Sequence, residues 1–438
     1  MAYIQRHLQE SILQLSGEYP VILVAGPRGA GKTTVLRMLM DMEEALPSGY
    51  MARAARVPGL SATSSDHRRF VSLDDLAKRD MAKNDPSLFL QIFKPPLLIS
   101  EIQYAPELLP FIKKRIEEDR RPGDFWLTGS HLYDLMDSVY KELAGDVALL
   151  NLFSLSHSEM EGIERDPFRA DRGYLSSIHE SSADAARVFD AIWSGSAPGR
   201  RENAPGTADK TGDDQAIWEA FYSHYIDSCI RRDVRDIGGA IDPLKFLHFM
   251  TAAAARCGEV LNVKAIADDA RIDQVTARGW LGILANIGII FYLHPYEHDA
   301  LKRALKAPRL YFYDTGLVCY LTRWTSPSSA MTGAMRERLF ECYIVSEIVK
   351  GYCHHGTMPY IYYYRDRDGA EISLIMKEDG VLHPVRICMS GDPVKRMTSS
   401  FVLLERTGEA IGDGAVICLT DRLRQLGDGI YAVPANYI

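Results

Sequence analysis

The stretch Gly26-Pro27-Arg28-Gly29-Ala30-Gly31-Lys32-Thr33 constrains this chain more than any other. Its spacing, G-x-x-x-x-G-K-[ST], is that of a phosphate-binding loop. The flanks agree. Residues 20–25 are a short apolar run rich in β-branched side chains, which predicts a buried strand, and residues 34–40 have helical spacing. Strand, glycine loop and helix together gather backbone N–H groups and a helix N-terminus around a phosphate chain. Gly26, Pro27, Arg28, Gly29, Ala30, Gly31, Lys32, Thr33 and Thr34 are the expected cofactor-binding residues, for ATP or ADP with Mg²⁺. Lys32 would reach the β- and γ-phosphates, and the Thr33 hydroxyl would face the metal.

Further strands are expected at residues 69–74, 96–103, 125–130 and 147–152, each an apolar run and most of them followed by helical spacing. Residues 75–89 read as helical with a break at Pro86. Alternating strands and helices predict an α/β fold, a P-loop NTPase core with a parallel sheet and the ligand at the carboxyl ends of the strands. The strand ending Ile99-Ser100-Glu101 lies where such ATPases carry an Asp-Glu pair, the Asp for the Mg²⁺ water shell and the Glu to polarise the attacking water. Glu101 is therefore a candidate catalytic residue, and Ser100 a metal-side residue beside Thr33. Thr128 and Ser130, ending the next strand, are candidate sensors of the γ-phosphate or the lytic water, or caps for the following helix.

Four segments carry a family resemblance: residues 71–90, residues 97–110 with Glu101-Ile102-Gln103-Tyr104-Ala105-Pro106, Leu127-Thr128-Gly129-Ser130, and Leu143-Ala144-Gly145-Asp146. They resemble the prokaryotic AAA+ family that joins an ATPase core to a C-terminal domain of unknown function. The resemblance implies Asp before Glu101 and Arg after Leu143-Ala144-Gly145, whereas this chain has Ser100 and Asp146. An anion cannot replace a guanidinium that stabilises transition-state charge, so slow hydrolysis is expected.

A chain of 438 residues predicts two or three domains. Its 47% hydrophobic and 25% charged residues are those of a water-soluble globular protein, and its net charge of -8 argues against a general nucleic-acid coat. The seven cysteines form no C-x-x-C pair, the N-terminus has no signal-peptide pattern and no apolar run is long enough to span a bilayer. A cytoplasmic protein with no membrane partner is expected.

Residues 57–67 read as a surface insertion and residues 194–214 as a long loop or linker, both rich in small and turn-forming residues. Trp218, Phe221, Tyr222, Tyr225 and Cys229 then mark one apolar helix face, and the mixed-charge run Arg231-Arg232-Asp233-Val234-Arg235-Asp236 continues it. Helices are expected at 244–256 and from 262. A turn at 270–272 leads to a third helix capped by Asp273, with Val275, Leu281, Leu284 and Ile287 inward and a strand at 289–293 following. That order is a winged helix-turn-helix, whose third helix would present Gln274, Thr276 and Arg278 to DNA, with Lys302, Arg303, Lys306 and Arg309 as a neighbouring basic run. Residues 244–309 hold nine basic against six acidic residues, which gives DNA contact modest support; packing or oligomerisation is the other use of such a unit.

Asp314-Thr315-Gly316 reads as a helix cap. A helix at 338–350, a hairpin around 366–369 and a strand at 381–389 resemble the PD-(D/E)XK nuclease fold. The resemblance implies Glu-x-Asp and Glu-x-Lys where this chain has Glu371-Ile372-Ser373 and Arg386-Ile387-Cys388. Of its acids, Glu341, Glu347 and Glu371 remain, so the fold is expected without nuclease activity. Cys353-His354-His355 reads as a loop after that helix, with no spaced partner for a metal. The expected organisation is an ATPase core over 1–160, a linker and helical connector over 161–242, a winged helix over 243–300 and a small α/β nuclease-like domain over 301–438. The expected function is an ATP-binding AAA+-type ATPase whose second half meets DNA or a protein partner. The alternative is a non-hydrolysing, ATP-dependent protein-binding switch or scaffold.

Overall fold

The computed structural model describes residues 3–45, 67–130, 134–177, 184–199, 213–238, 241–297, 306–366 and 369–438. Nearly all of the expected insertion at 57–67, residues 200–212 of the expected loop, and Lys302 and Arg303 lie outside the described residues.

Strands β1 (Val21–Ala25), β2 (Arg69–Ser72), β3 (Leu97–Ser100), β4 (Phe125–Gly129) and β5 (Val147–Asn151) form one parallel sheet in the order β2-β3-β4-β1-β5. β1, β3 and β4 are buried along their whole length, which is why they read as continuous apolar runs. Helix Lys32–Ala45 covers one face through Val35, Leu36 and Leu39. Phe89, Ile112 and Ile116 pack with the other. Helix Leu76–Asn84 ends at Asp85, whose carboxylate caps helix Pro86–Ile92, so Pro86 sits at a first helical position where its missing N–H costs nothing. This is the α/β core of a P-loop NTPase.

Most of the rest of the chain packs on a large apolar cluster that runs from Phe168 to Ile438, with smaller clusters beside it. Helices Pro243–Ala254, Val263–Ala270 and Gln274–Asn286 lead into β6 (Ile290–Leu293), which pairs antiparallel with β7 (Arg309–Phe312). Asp273 accepts from the N–H groups of Val275 and Thr276, the expected cap. Leu281, Leu284 and Ile287 are buried, but Val275 is 76% exposed. Val275 lies in the capped first turn, off the face that Ala277, Leu281 and Leu284 bury, so it faces out instead of in.

Beyond it, Asp314 accepts from Gly316 N–H and caps helix Thr315–Leu321. Helix Arg336–His354 is longer at both ends than expected, and Cys353 and His354 are buried in its last turn, not in a loop. β8 (Ile361–Arg365), β9 (Glu371–Glu378), β10 (Val381–Ile387), β11 (Ala410–Ile411), β12 (Gly414–Cys418), β13 (Arg424–Gly427) and β14 (Ile430–Pro434) form a mixed sheet with main order β13-β14-β12-β10-β9-β8. The β8–β9 hairpin falls where the sequence predicts it. Among the described residues, no helix is long and apolar enough to cross a membrane, and no group of three or more His, Cys, Asp or Glu side chains is set to hold a metal ion.

Candidate functional site

The loop leaves the carboxyl end of β1 and returns as helix Lys32–Ala45. Gly26 has φ 156°, and a Cβ there would lie 1.9 Å from the Leu152 carbonyl oxygen, so only glycine lets β1 turn away beside the end of β5. Lys32 is 4% exposed, and its Nζ donates to the carbonyls of Gly26 at 2.9 Å and Pro27 at 2.8 Å. Thr33 and Thr34 open the helix with more exposure than Lys32. A coiled loop with an ammonium, a helix N-terminus and a hydroxyl at its mouth is a donor set that fits a phosphate chain with its divalent ion.

Glu101 follows β3 with φ 61°, in the left-handed region that costs a non-glycine residue about 1–2 kcal/mol. The turn is held from three sides. Thr128 is fully buried, and its Oγ1 accepts from Glu101 N–H at 3.2 Å. Ser130 Oγ donates to Glu101 Oε2 at 3.1 Å. Gln103 Nε2 donates to the same oxygen at 2.6 Å, while its Oε1 accepts from Ser130 N–H at 3.3 Å. Burial pushes the Glu101 carboxyl up, but the cations of Lys32 and Arg28 and these hydrogen bonds outweigh it, so the group is held below its ordinary range and ionised. Ser100 ends β3, 3% exposed, with no charge to offer.

Two arginines tie the loop to distant parts of the chain. Arg28 lies 3.6 Å from Glu101 Oε2, donates from Nη2 to Tyr104 Oη at 3.0 Å, and donates from Nε to Asp233 Oδ1 at 3.0 Å. Arg6 donates to Ala30 O at 2.6 Å and Phe153 O at 2.9 Å, and pairs with Glu159 at 3.0 Å.

Residues 18–161 match the family model described as an AAA domain. The first third of the chain carries an AAA domain. Residues 205–328 match a Domain of unknown function (DUF8612) and residues 336–438 a Domain of unknown function (DUF4143). Two uncharacterized proteins, from Mycobacterium bovis and Mycobacterium tuberculosis, are each 24% identical over 424 residues, covering 96% of this chain and 81% of theirs. A Walker-type ATPase of Pyrococcus abyssi aligns with 73% of this chain and 96% of its own, at 13% identity and a TM-score of 0.36. A Signal Transduction ATPase with Numerous Domains (STAND) protein with a tetratricopeptide repeat sensor, from Pyrococcus horikoshii, aligns with 81% of this chain and 47% of its own, at 11% identity and a TM-score of 0.21.

Within the AAA domain, the structure brings the loop, Glu101, Thr128 and Ser130 together, with Thr128 Oγ1 turned to the Glu101 backbone. Asp146 does not join them. It precedes β5, whose Val147 lies beside Val21 at the start of β1, while the loop leaves the other end of β1. Its carboxylate is bound there by Lys113 at 2.6 Å and by Arg120. The expectation that Asp146 removes a cation from this chain's own site is therefore corrected: it sits at the wrong end of a parallel strand. Sequence reading missed Arg6, Gln103, Tyr104 and Asp233. Gln103 and Tyr104 stood in the segment carrying Glu101, but Arg6 and Asp233 meet the loop only through the tertiary fold.

In the second half, Gln274 and Arg278 are exposed, while the Thr276 hydroxyl donates to Asp273 at 2.6 Å. Much of the expected basic face is neutralised: Arg256 pairs with Asp269, Lys264 with Asp268 and Lys306 with Glu297. Arg309 is not on a surface at all. It is 5% exposed, pairs with Glu341 at 2.8 Å and with Glu371, and stacks on the Tyr363 ring. Glu347 stands elsewhere, paired with the buried Lys350 at 2.5 Å.

Proposed function

We propose that this chain binds ATP at residues 26–34 and hydrolyses it slowly, and that its second half passes the nucleotide state to a partner. The observation that carries the reading is the Glu101 carboxylate, kept ionised near Lys32 and Arg28 and aimed by Thr128, Ser130 and Gln103. In this reading Glu101 polarises the attacking water, and Lys32 leaves the Gly26 and Pro27 carbonyls for the phosphates. The Thr33 hydroxyl would hold Mg²⁺, with the Ser100 hydroxyl as a further polar group on the metal side. The metal, when bound, would screen the charge on the transferred phosphoryl group. Ser100 supplies no charge, and a loss of about 2–3 kcal/mol in transition-state stabilisation slows turnover by roughly 30- to 150-fold.

The test is calorimetry with Mg-ATP beside a phosphate-release assay on wild type, Lys32→Ala and Glu101→Gln. Binding lost in Lys32→Ala, and release lost but binding kept in Glu101→Gln, is the expected pattern. Equal binding by wild type and Lys32→Ala overturns it. Ser100 favours a second reading, a switch that binds ATP without hydrolysing it; binding with no phosphate release in any protein would select that one.

For residues 243–312 the helix order, the Asp273 cap and the β6–β7 pair support a winged-helix unit, and exposed Gln274, Val275 and Arg278 support its third helix as a contact face. The paired state of Arg256, Lys264 and Lys306 favours a protein partner over DNA. A mobility-shift assay at low salt, in which retardation falls on Arg278→Ala, would restore DNA.

A further inference from the structure

Asp233 stands 205 positions beyond Arg28 and comes from the helix Arg231–Gly238, outside the AAA domain. Yet it is 2% exposed, and its carboxylate is bound by a guanidinium of the phosphate loop. The same helix is fastened a second time: Arg232 donates to Tyr104 Oη at 3.2 Å and to Asp74 at 2.8 Å. Tyr104 accepts from Arg28 as well, three residues after Glu101. Two turns earlier, in a π-helical stretch over Tyr225–Ile230, Tyr225 stands over the loop; a Cβ on Gly29 would lie 3.9 Å from its ring. π-Turns are rare and occur frequently at functional sites.

We propose that Asp233 is a latch on Arg28 and that the terminal phosphate of a nucleoside triphosphate opens it. The inference rests on the nucleotide reading above and names how that site is regulated. Arg28 lies within 3.6 Å of the Glu101 carboxylate, the group that would face the terminal phosphate, so the guanidinium is already beside the position where that phosphate arrives. A phosphate offers Arg28 the bidentate, doubly charged acceptor that guanidinium prefers. A nucleoside diphosphate leaves that position without phosphate and leaves Arg28 on Asp233. Once Arg28 turns away, Asp233 loses the guanidinium that holds it at 3.0 Å and the connector loses one of its fastenings to the loop, which favours movement of the connector away from it. The two acceptors compete for one cation, so the triphosphate shifts the connector by its differential affinity for the open form, and the helices from Pro243 onward follow.

The test is hydrogen exchange of the full chain at amides 225–238, without nucleotide, with Mg-ADP and with Mg-ATPγS, with calorimetry confirming that each nucleotide is bound. The expected result is exchange faster by about tenfold with ATPγS only, a coupling of about 1.4 kcal/mol. Asp233→Asn should show the fast exchange without nucleotide, and Arg28→Gln should show it in all three states. Equal protection of the wild type in the three states, with ATPγS bound, overturns the latch and leaves the nucleotide reading standing. Failure of either nucleotide to bind overturns both.

Discussion

Arg6 and Glu159 form a buried ion pair, Nε to Oε1 at 3.0 Å, with side chains 3% and 0% exposed. The pair joins a residue before the sheet to one just after it. The same guanidinium holds the Ala30 carbonyl inside the phosphate loop, and the other Glu159 oxygen lies 3.1 Å from His354 Nδ1. The loop is thus braced from behind by the long helix of the C-terminal half, as the Arg28–Asp233 contact braces it in front.

Removing one partner of this pair leaves the other charged in a dry site. Glu159→Gln and Arg6→Ala should each destabilise the fold by about 3–5 kcal/mol in urea denaturation. Arg6→Ala should also weaken nucleotide binding, because the loop loses its brace at Ala30. Unchanged stability in both variants would mean that the pair does not brace the loop and the sheet.

Stability should fall early on acidification. His354 is buried and His157 partly buried, and that desolvation holds their imidazoles below the ordinary 6.5. As pH falls through 6.5 the unfolded chain takes up a proton on each, while the native protein does not. The unfolded state then binds more protons, so stability drops by about 1.4 kcal/mol per pH unit for each histidine, and the contribution is complete above 6.5. Burial raises the Glu159 carboxyl, but His354 and Arg6 outweigh that and hold it well below 4.5. Its contribution is present above 4.5 and is lost as pH falls toward the native value. Denaturation midpoints between pH 8 and pH 5 should slope accordingly, and His157→Gln should remove about half of the upper slope.

The loop and its strand were legible because their signal is contiguous: eight residues of fixed spacing, with the flanking periodicities beside them. Glu101 was legible because it ends an apolar run. What was hidden lies in contacts across long chain separations, such as Arg6 to Glu159 and Arg28 to Asp233, which leave no periodicity in either segment. Val275 and Asp146 misled for a related reason. Apolar character did not say that Val275, in the capped first turn, stays exposed, and position after Leu143-Ala144-Gly145 did not say which end of a parallel strand that is.

Restoring charge at the metal side should matter, and at Asp146 it should not. Ser100→Asp is expected to raise phosphate release by about tenfold or more, the effect of some 1.4 kcal/mol at the transition state. Asp146→Arg should give the isolated chain no gain, since the residue lies at the amino end of β5. It should instead lower stability by about 1–3 kcal/mol, because Lys113 and Arg120 would face a third cation in place of their shared acceptor. A large gain in turnover from Asp146→Arg alone would show that this end of the sheet reaches a nucleotide, as in an assembly where a second copy presents it.

Glu341 and Glu371 do converge, as a nuclease centre would require, but the cation between them is the Arg309 guanidinium. Burial pushes the Glu341 carboxyl up, and Tyr311 Oη donates to the same oxygen that accepts from Arg309, at 2.7 Å. A divalent ion entering here would meet the fixed positive charge of Arg309 between the two carboxylates, and Glu-x-Lys, which supplies the lysine in the resemblance, is Arg386-Ile387-Cys388 here. The wild-type chain should therefore leave a supercoiled plasmid intact with either Mg²⁺ or Mn²⁺. Arg309→Met should lower stability by about 3–5 kcal/mol by leaving the two carboxylates unneutralised. Part of that loss should return on adding Mg²⁺, read as a shift in Tm, because the metal then takes the place of the guanidinium. Nicking by the wild type that disappears in Glu371→Ala would show that the arginine does not block the centre.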